Sequence, residues 1–249
     1  WERRGAECWV VEVLKEGYAI PFDSPPPPSS TPISFASYAP GSPKEIALDL
    51  EVNAMLQKGA VEVSPQGPGH YSLLFAVQKA NGKWRPVIDL SSLNKFVHKT
   101  PFKMETCASV LQSIRKDDWM VSLDLKDAYF QVPIHHQSHK FLRFVWKDVV
   151  YQFRVLCFGL STAPQVFTRV MAPVSSFLHR QGIRMLRYLD DWLILASSEE
   201  ESIRARDYTL HLCEELGIVI NLEKSDLTPS RTATYLGMDL DSAILKAFP

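Results

Sequence analysis

The chain has 249 residues, of which 46% are hydrophobic and 22% charged, a balance typical of a folded globular protein rather than a disordered one. No apolar run approaches the roughly 20 residues of a membrane span and no signal peptide opens the chain, so we expect neither a membrane protein nor a secreted one. Four scattered cysteines show neither metal-ligand spacing nor a disulfide framework. We therefore expect reduced thiols in an intracellular protein, cytoplasmic or nuclear.

The formal net charge is −1, but its distribution is uneven. Residues 75–154 contain 13 Lys and Arg against 7 Asp and Glu. A basic middle segment could attract a phosphate backbone, although an unevenly charged solvated surface would give the same count. Because the chain starts at Trp1 rather than at a methionine, we expect it to be a fragment of a longer protein.

The first forty residues are expected to be irregular, with four consecutive prolines at 25–28 that favour an extended linker or strap. A helix should follow. Ser42 is a good N-cap, Pro43 suits the first turn, and Glu45 completes a capping box. Gly59 is expected to end this helix.

The remaining segments mix strands and helices without strict alternation, which predicts an α+β fold on an antiparallel sheet. Strands are expected at 72–78, 85–90, 119–123, 186–189, 192–196 and within 232–240. Helices are expected at 104–114, at 163–178 with a bend at Pro173, and from the capping box of Ser198 and Glu201 to Gly217.

Three acids stand at the ends of the predicted strands. Asp190 and Asp191 separate two β-like runs, so a tight hairpin would hold both carboxylates at its tip, although Asp-Asp pairs are also common in ordinary turns. Asp124 ends a buried strand, where it either meets that hairpin at the sheet edge or caps a following helix. Two-metal phosphoryl transfer needs such carboxylates, and Mg²⁺ prefers hard oxygen ligands. The acids therefore predict a metal site assembled by folding.

Six short blocks in order give the chain a family resemblance. They are K-W-R-P-V-I-D-L-S-S-L-N at 83–94, D-L-K-D-A-Y at 124–129, F-G-L-S-T-A-P-Q-V-F at 158–167, Y-L-D-D at 188–191, N-L-E-K at 221–224 and Y-L-G at 235–237. Together they resemble the fingers motif, the D-x-x-D-A-Y/F motif, the F-G-L-x-x-A-P block, the Y-x-D-D motif, the lysine motif and the primer grip of reverse transcriptases. The resemblance covers residues 43–241.

The resemblance implies a right-hand polymerase with fingers and palm and a largely missing thumb. The implied divisions are an irregular segment at 1–41, fingers with part of the palm at 42–118, palm at 119–241, and the start of a thumb or connection at 242–249. The implied activity is RNA-directed DNA synthesis, in which deoxynucleoside triphosphates are added to a primer on an RNA or DNA template.

The resemblance also assigns roles at the metal site. Asp124 and Asp190 would be the principal ligands of two Mg²⁺ ions, with Mn²⁺ as a substitute, while Asp191 shapes the charge of the site. Leu125 would lend a backbone carbonyl to the metal. Lys224 would be a general acid for the leaving pyrophosphate, although a lysine after a strand is more often simply solvated.

Further roles concern the incoming nucleotide. Lys79 and Arg85 would grip its triphosphate, since Arg binds phosphate in a bidentate way. The backbone N–H groups of Asp127 and Ala128 would also face it. Tyr129 would exclude a 2′-hydroxyl, although it could simply be a core aromatic. Two more residues would lie near the nucleotide. Phe158 would contact the nucleotide and the template base, and Gly159 would let the protein backbone approach closely.

Finer classification rests on C-F-G-L-S-T-A-P-Q at 157–165 and P-F-K-M-E-T at 101–106. These blocks look most like retrotransposons of the tyrosine-recombinase type (DIRS/Ngaro-like), with Gypsy-type LTR elements as the nearest rival. Three other functions stay open: a decayed copy that only binds nucleic acid or protein, an RNA-dependent RNA polymerase, and a two-metal nuclease. Tyr129 argues against the RNA polymerase, because that enzyme must accept the 2′-hydroxyl.

Overall fold

A computed structural model describes residues 1–28, 38–64, 67–78, 82, 84–104 and 107–248. The α-helices in these ranges are α1 (Cys8–Glu16), α2 (Pro43–Gln57), α3 (Cys107–Ser113), α4 (Ala163–Arg180) and α5 (Glu199–Leu216). The strands are β1 (Val61–Val63), β2 (Tyr71–Gln78), β3 (Trp84–Asp89), β4 (Trp119–Asp124), β5 (Arg143–Trp146), β6 (Val149–Phe153), β7 (Arg184–Tyr188), β8 (Asp191–Ala196), β9 (Asp226–Ser230), β10 (Thr232–Tyr235), β11 (Met238–Asp241) and β12 (Lys246–Phe248). The α+β class predicted from the sequence is confirmed.

Internal contacts divide the chain into two units. The first contains residues 1–11, 101–131 and 165–249, and the second contains residues 12–100 and 132–164. Within the described ranges no helix combines the length and apolarity needed to cross a bilayer.

The first unit is built on a four-stranded sheet in the order β7-β8-β4-β9, and all its pairings are antiparallel. Because side chains alternate along a strand, Met120, Leu193 and Leu195 share one face. There they pack with Tyr235 and Leu240 of the three-stranded sheet β10-β11-β12. Helix α5 packs against β4, β8 and β9. The predicted antiparallel sheet flanked by helices is therefore confirmed.

The second unit is built on a five-stranded sheet in the order β1-β6-β5-β2-β3. The pairing of β2 with β5 is parallel, whereas its other pairings are antiparallel. Helix α2 packs against β1, β2 and β3. Its start lies where the capping box predicts, and the Ser42 hydroxyl accepts the Glu45 N–H as expected, but the Glu45 carboxylate accepts the N–H of Gly41 rather than that of Ser42.

Two expectations about helices were wrong. The first forty residues are not irregular throughout, since α1 occupies Cys8–Glu16. Val10 and Val13 lie three positions apart and are both buried, a helical spacing that the neighbouring prolines obscured. The helix expected at 104–114 is shorter within the described residues, because α3 is Cys107–Ser113 and neither Met104 nor Ile114 is helical. Residues 29–37, next to the four prolines, lie outside the described ranges.

Candidate active site

Two of the three predicted acids face each other across the β4–β8 pairing. Asp124 and Asp191 are register partners, and the N–H of the next residue, Leu125, donates to the Asp190 carbonyl at 2.8 Å. This bond makes Asp124 and Asp191 a non-hydrogen-bonded pair, the type in which opposed side chains are closest. Folding therefore brings the three acids together at one end of β4.

The tip of the hairpin differs from its prediction. Tyr188 pairs with Asp191, so the two-residue turn consists of Leu189 and Asp190 rather than of the two acids, and Asp191 is the first residue of β8. Leu189 has a φ of 53°, in the left-handed region that a leucine rarely adopts. The buried indole of Trp192 holds this turn by donating to the Leu189 carbonyl at 3.1 Å.

The charges around Asp191 oppose its ionisation. Burial raises the pKa of the Asp191 carboxyl, and the negative charges of Asp190 and Asp124 raise it further, while Lys224 lowers it. Like charges on opposed residues of a strand pair also destabilise the fold. A bound cation would relieve both effects, so the site is electrostatically suited to one.

Two of the three acids, Asp124 and Asp191, border a cleft of about 190 Å³ in the first unit. Asp124, Asp191 and Lys224 line it together with the turn between β10 and β11, formed by Leu236 and Gly237. Both turn residues have positive φ, 53° and 75°, as a two-residue type I′ hairpin requires. The Tyr235 hydroxyl donates to the Asp191 carbonyl at 3.2 Å, which anchors this turn beside the acids. The lysine and primer-grip-like blocks thus lie at the predicted carboxylates.

The segment after β4 contains three more of the predicted residues. Asp127 has a φ of 48° and is followed by a 3-10 helix, Ala128–Gln131, an alternation of left- and right-handed backbone that is typical of anion-binding nests. Tyr129 is buried, with its ring edge-on to Phe167 at 5.6 Å. Burial, with the charge of nearby Asp190 and then Tyr188, raises the pKa of Tyr129 to about 12. Tyr129 is thus both a core aromatic and a neighbour of the acids.

The second unit holds a separate group of predicted residues. The Arg85 guanidinium lies over the Phe158 ring at 5.6 Å, and that ring is 50% exposed. Gly159 has a φ of 92°, and a Cβ there would be 3.0 Å from the Ile88 carbonyl oxygen. Both the backbone conformation and the close contact therefore favour glycine at this position. Lys79 lies outside the described residues.

The acids fit a magnesium site in which substrate completes the coordination. Within the described ranges, no three side chains among His, Cys, Asp and Glu form a cluster that would hold a metal ion by themselves. Mg²⁺ is usually bound by one or two carboxylates plus substrate phosphates and water, so a complete protein cage is not expected. Mutual repulsion around Asp191 and an all-oxygen donor set both suit this cation.

Two supporting residues were not predicted from the sequence. The Asn94 side chain donates to the Gly159 carbonyl at 2.7 Å and accepts the Ser161 N–H at 2.8 Å, which fixes the loop that carries Phe158. The Gln131 amide bonds to the carbonyls of Lys126 and Val219 and to the Val219 N–H. Asn94 stands inside one of the family-like blocks and Gln131 two residues after another, but polar residues give no sequence signal of which backbone group they bind.

Comparison with known proteins is consistent with this geometry. The family model described as "Reverse transcriptase (RNA-dependent DNA polymerase)" matches residues 77–240. The Gag-Pol polyprotein of Rous sarcoma virus subgroup B (strain Schmidt-Ruppin) is 28% identical over 225 residues, which cover 86% of this chain and 14% of the polyprotein. The Enzymatic polyprotein of Cestrum yellow leaf curling virus is 30% identical over 194 residues, 75% of this chain and 29% of the relative. The chain thus spans less than a third of each.

Solved structures share the fold. The crystal structure of the prototype foamy virus protease-reverse transcriptase CSH mutant superposes with a TM-score of 0.74 at 22% identity, covering 90% of this chain and 29% of that one. The foamy viral protease-reverse transcriptase in complex with an RNA/DNA hybrid gives a TM-score of 0.69 at 20% identity, covering 90% and 30%.

Proposed function

The chain belongs to the reverse transcriptase family, and from this membership we propose that it adds deoxynucleotides to a primer 3′-OH by two-metal phosphoryl transfer on an RNA or DNA template. The observation that carries the proposal is the pairing of Asp124 with Asp191 across β4 and β8, with Asp190 in the adjoining turn. Solved foamy viral relatives with bound RNA/DNA hybrid and double-stranded DNA support the choice of template.

The proposed metal ligands are Asp124, Asp190 and the Leu125 carbonyl, with Asp191 as the neighbouring charge. When bound, two Mg²⁺ ions supply Lewis-acid activation of the attacking oxygen and neutralise charge on the leaving group. The Leu125 N–H, bonded to the Asp190 carbonyl, holds the end of β4 against the turn, so both principal ligands keep a fixed spacing. We assign to Lys224, which lines the same cleft, the delivery of a proton to pyrophosphate.

The remaining proposed roles concern the incoming nucleotide. Lys79 and Arg85 would bind the triphosphate, and the backbone N–H groups of Asp127 and Ala128 would meet it through the nest-like turn. The buried ring of Tyr129 would exclude a 2′-hydroxyl, a role supported by its packing on Phe167. The exposed Phe158 would pack on the base, with Gly159 allowing close approach.

We also propose a finer origin and setting for the chain. Its parent would be an element of the tyrosine-recombinase type (DIRS/Ngaro-like), with Gypsy-type LTR elements as the alternative. Sequencing the flanking DNA tests this, because a tyrosine recombinase gene supports the first and an integrase the second. We keep 42–118 as fingers and 119–241 as palm, and place the activity in the cytoplasm or nucleus.

The test is primer extension on an RNA template with deoxynucleotides and Mg²⁺. We expect extension by the unmodified chain, its loss on chelation, recovery with Mn²⁺, and loss of at least about a hundredfold in the Asp190→Asn variant. Asp207→Asn is the matched control, because Asp207 is exposed on α5 and pairs with its neighbour Arg206. Folded protein that extends no primer, even when lengthened to the parent's natural ends, would favour a decayed binding copy.

A further inference from the structure

The edge of β4 opposite β8 is paired in an irregular way near Asp124. Strand β9 pairs with β4 up to Ser122 and Asp226, and an isolated bridge joins Leu125 to Ile220. Between these two points β4 advances three residues, whereas the partner chain advances six. The residues between these two points on the partner chain, 221–225, leave the ladder as a turn, and this turn carries Lys224.

The turn leaves the Asp124 N–H without the carbonyl that a regular ladder would offer. The Ser225 hydroxyl accepts this N–H at 3.0 Å and itself donates to the Asn221 carbonyl at 2.8 Å. The Asn221 N–H in turn donates to the Asp124 carbonyl at 2.8 Å. One serine hydroxyl therefore closes a ring of hydrogen bonds between the backbone of a proposed metal ligand and the turn.

The Asn221 carbonyl also holds the backbone of Lys224. The N–H groups of Lys224 and Ser225 donate to the Asn221 carbonyl at 3.2 and 3.0 Å, so it accepts three donors in all. Lys224 and Asp124 line one cleft. Moving the turn relative to β4 would change the distance between the proposed general acid and the proposed metal site.

We propose that Ser225 is a positioning residue, whose hydroxyl sets the place of Asp124 relative to Lys224 during nucleotide addition. This inference rests on the proposed polymerase function. A purely structural serine would satisfy a buried group somewhere in the sheet. Ser225 instead accepts the N–H of Asp124, and it does so from a turn in which the residue just before it is Lys224. Misplacing reacting groups by about an ångström costs rate rather than substrate binding.

Three substitutions test it by steady-state primer extension. We expect Ser225→Ala to lower kcat about tenfold, with the KM for deoxynucleotides changed less than about twofold. Ser225→Thr keeps the hydroxyl and should restore kcat to within about threefold of the unmodified chain. Ser230→Ala, on the strand that follows the turn, is the control, because Ser230 bonds locally to Thr232, and it should change neither parameter.

A second readout is independent of activity, of metal and of nucleic acid. Hydrogen–deuterium exchange should be faster in Ser225→Ala at peptides covering 119–126 and 219–226, and elsewhere unchanged, because the Asp124 N–H loses its acceptor.

A double variant gives a third, kinetic test. In a Lys224→Ala background the effect of Ser225→Ala on kcat should shrink, since coupled residues are not additive.

The outcomes separate the inference from its premise. A folded chain that never extends a primer, even when lengthened to the parent's natural ends, removes the premise, and the inference falls with it. An active chain in which Ser225→Ala extends like Ser230→Ala overturns the inference alone. Three other results would also overturn it. They are a general loss of exchange protection with a lowered melting temperature, failure of Ser225→Thr to restore kcat, and an undiminished effect of Ser225→Ala on kcat in the Lys224→Ala background. Faster local exchange with the kcat-specific loss and its rescue supports the inference.

Discussion

Asp124 and Asp191 stand directly opposite each other on adjacent antiparallel strands, two carboxylates on the same face as the apolar core of their sheet. An opposed pair of like charges costs stability, and Asp191 is also half-buried, which adds to that cost. Such an arrangement persists when function needs it.

Asp191→Asn is expected to stabilise the protein without metal at neutral pH. The folded-state pKa of Asp191 lies above its ordinary value of 3.8, so between these two values the folded protein binds more protons than the unfolded chain. The free energy of unfolding therefore falls as pH rises through that window and stays reduced above it. Asparagine does not ionise, so the variant keeps the free energy of unfolding that the unmodified chain loses. The extra stability of Asp191→Asn should therefore vanish below the ordinary carboxyl pKa.

Chemical denaturation of both proteins across pH, with chelator present, measures this difference. Asp207→Asn is the control and should leave the free energy of unfolding unchanged. Equal stability of Asp191→Asn and the unmodified chain at pH 7 would contradict the repulsion inferred here. Added Mg²⁺ should stabilise the unmodified chain more than the variant, because the cation relieves the same repulsion.

Glycine at position 189 is expected to be more stable than alanine there. In ordinary positions alanine is the more stable of the two, but the φ of 53° at Leu189 penalises any residue with a Cβ by roughly 1–2 kcal/mol. Both variants lose the same leucine packing, so their difference reports the turn alone. Urea denaturation of Leu189→Gly and Leu189→Ala measures it, and the reverse order would mean that the turn is not left-handed at this residue.

Tyr129→Ala should admit ribonucleotides, whereas Tyr129→Phe should still exclude them. The ring provides the bulk, and the hydroxyl, with a pKa of about 12, stays protonated at working pH and should not be needed for exclusion. Removing the ring from its contact with Phe167 should also cost about 3–5 kcal/mol of stability, as for other buried aromatics. The ratio of kcat/KM for ribonucleotides to that for deoxynucleotides measures this exclusion. If the ratio in Tyr129→Ala equals that of the unmodified chain, Tyr129 acts only in the core.

Arg85→Ala should raise the KM for deoxynucleotides about tenfold while kcat changes little, because an exposed guanidinium over Phe158 would contribute binding more than chemistry. Arg85→Lys should recover part of the loss, since lysine keeps the charge but not the bidentate geometry. Steady-state kinetics with varied nucleotide gives both values. A fall in kcat at constant KM would place Arg85 in the chemical step instead.

Local chemistry made parts of the fold predictable. The helices that begin after Ser42 and Ser198 start where their capping boxes indicate, because the cap depends only on residues within one turn. The order of strands and acids around Asp124 followed from apolar runs that stop at a charge. In contrast, α1 was missed because the prolines at 25–28 dominated the composition of that segment.

Other parts of the site depend on tertiary contacts that leave no local signal. The turn at Leu189 could not be predicted, because a leucine takes a left-handed conformation only when surroundings such as the Trp192 indole hold it there. The bond from the Asp124 N–H to Ser225 joins residues 101 positions apart, and a serine after a lysine gives no hint of it. The sequence blocks were enough to locate the acids. The hydrogen bonds that hold the acids in place join residues far apart in the chain and are seen only in the folded structure.

The shared face of Asp124, Asp191 and the core residues Met120 and Leu193 has an evolutionary consequence. Because side chains alternate along strands, inserting or deleting one residue between Met120 and Asp124, or between Asp191 and Leu193, would put the acid and the core residue on opposite faces of the sheet. Changes in length are therefore confined to the connections between strands. A lineage that keeps this sheet folded keeps its acids aligned, so loss of activity is expected to begin with substitution of an acid rather than with drift in strand length.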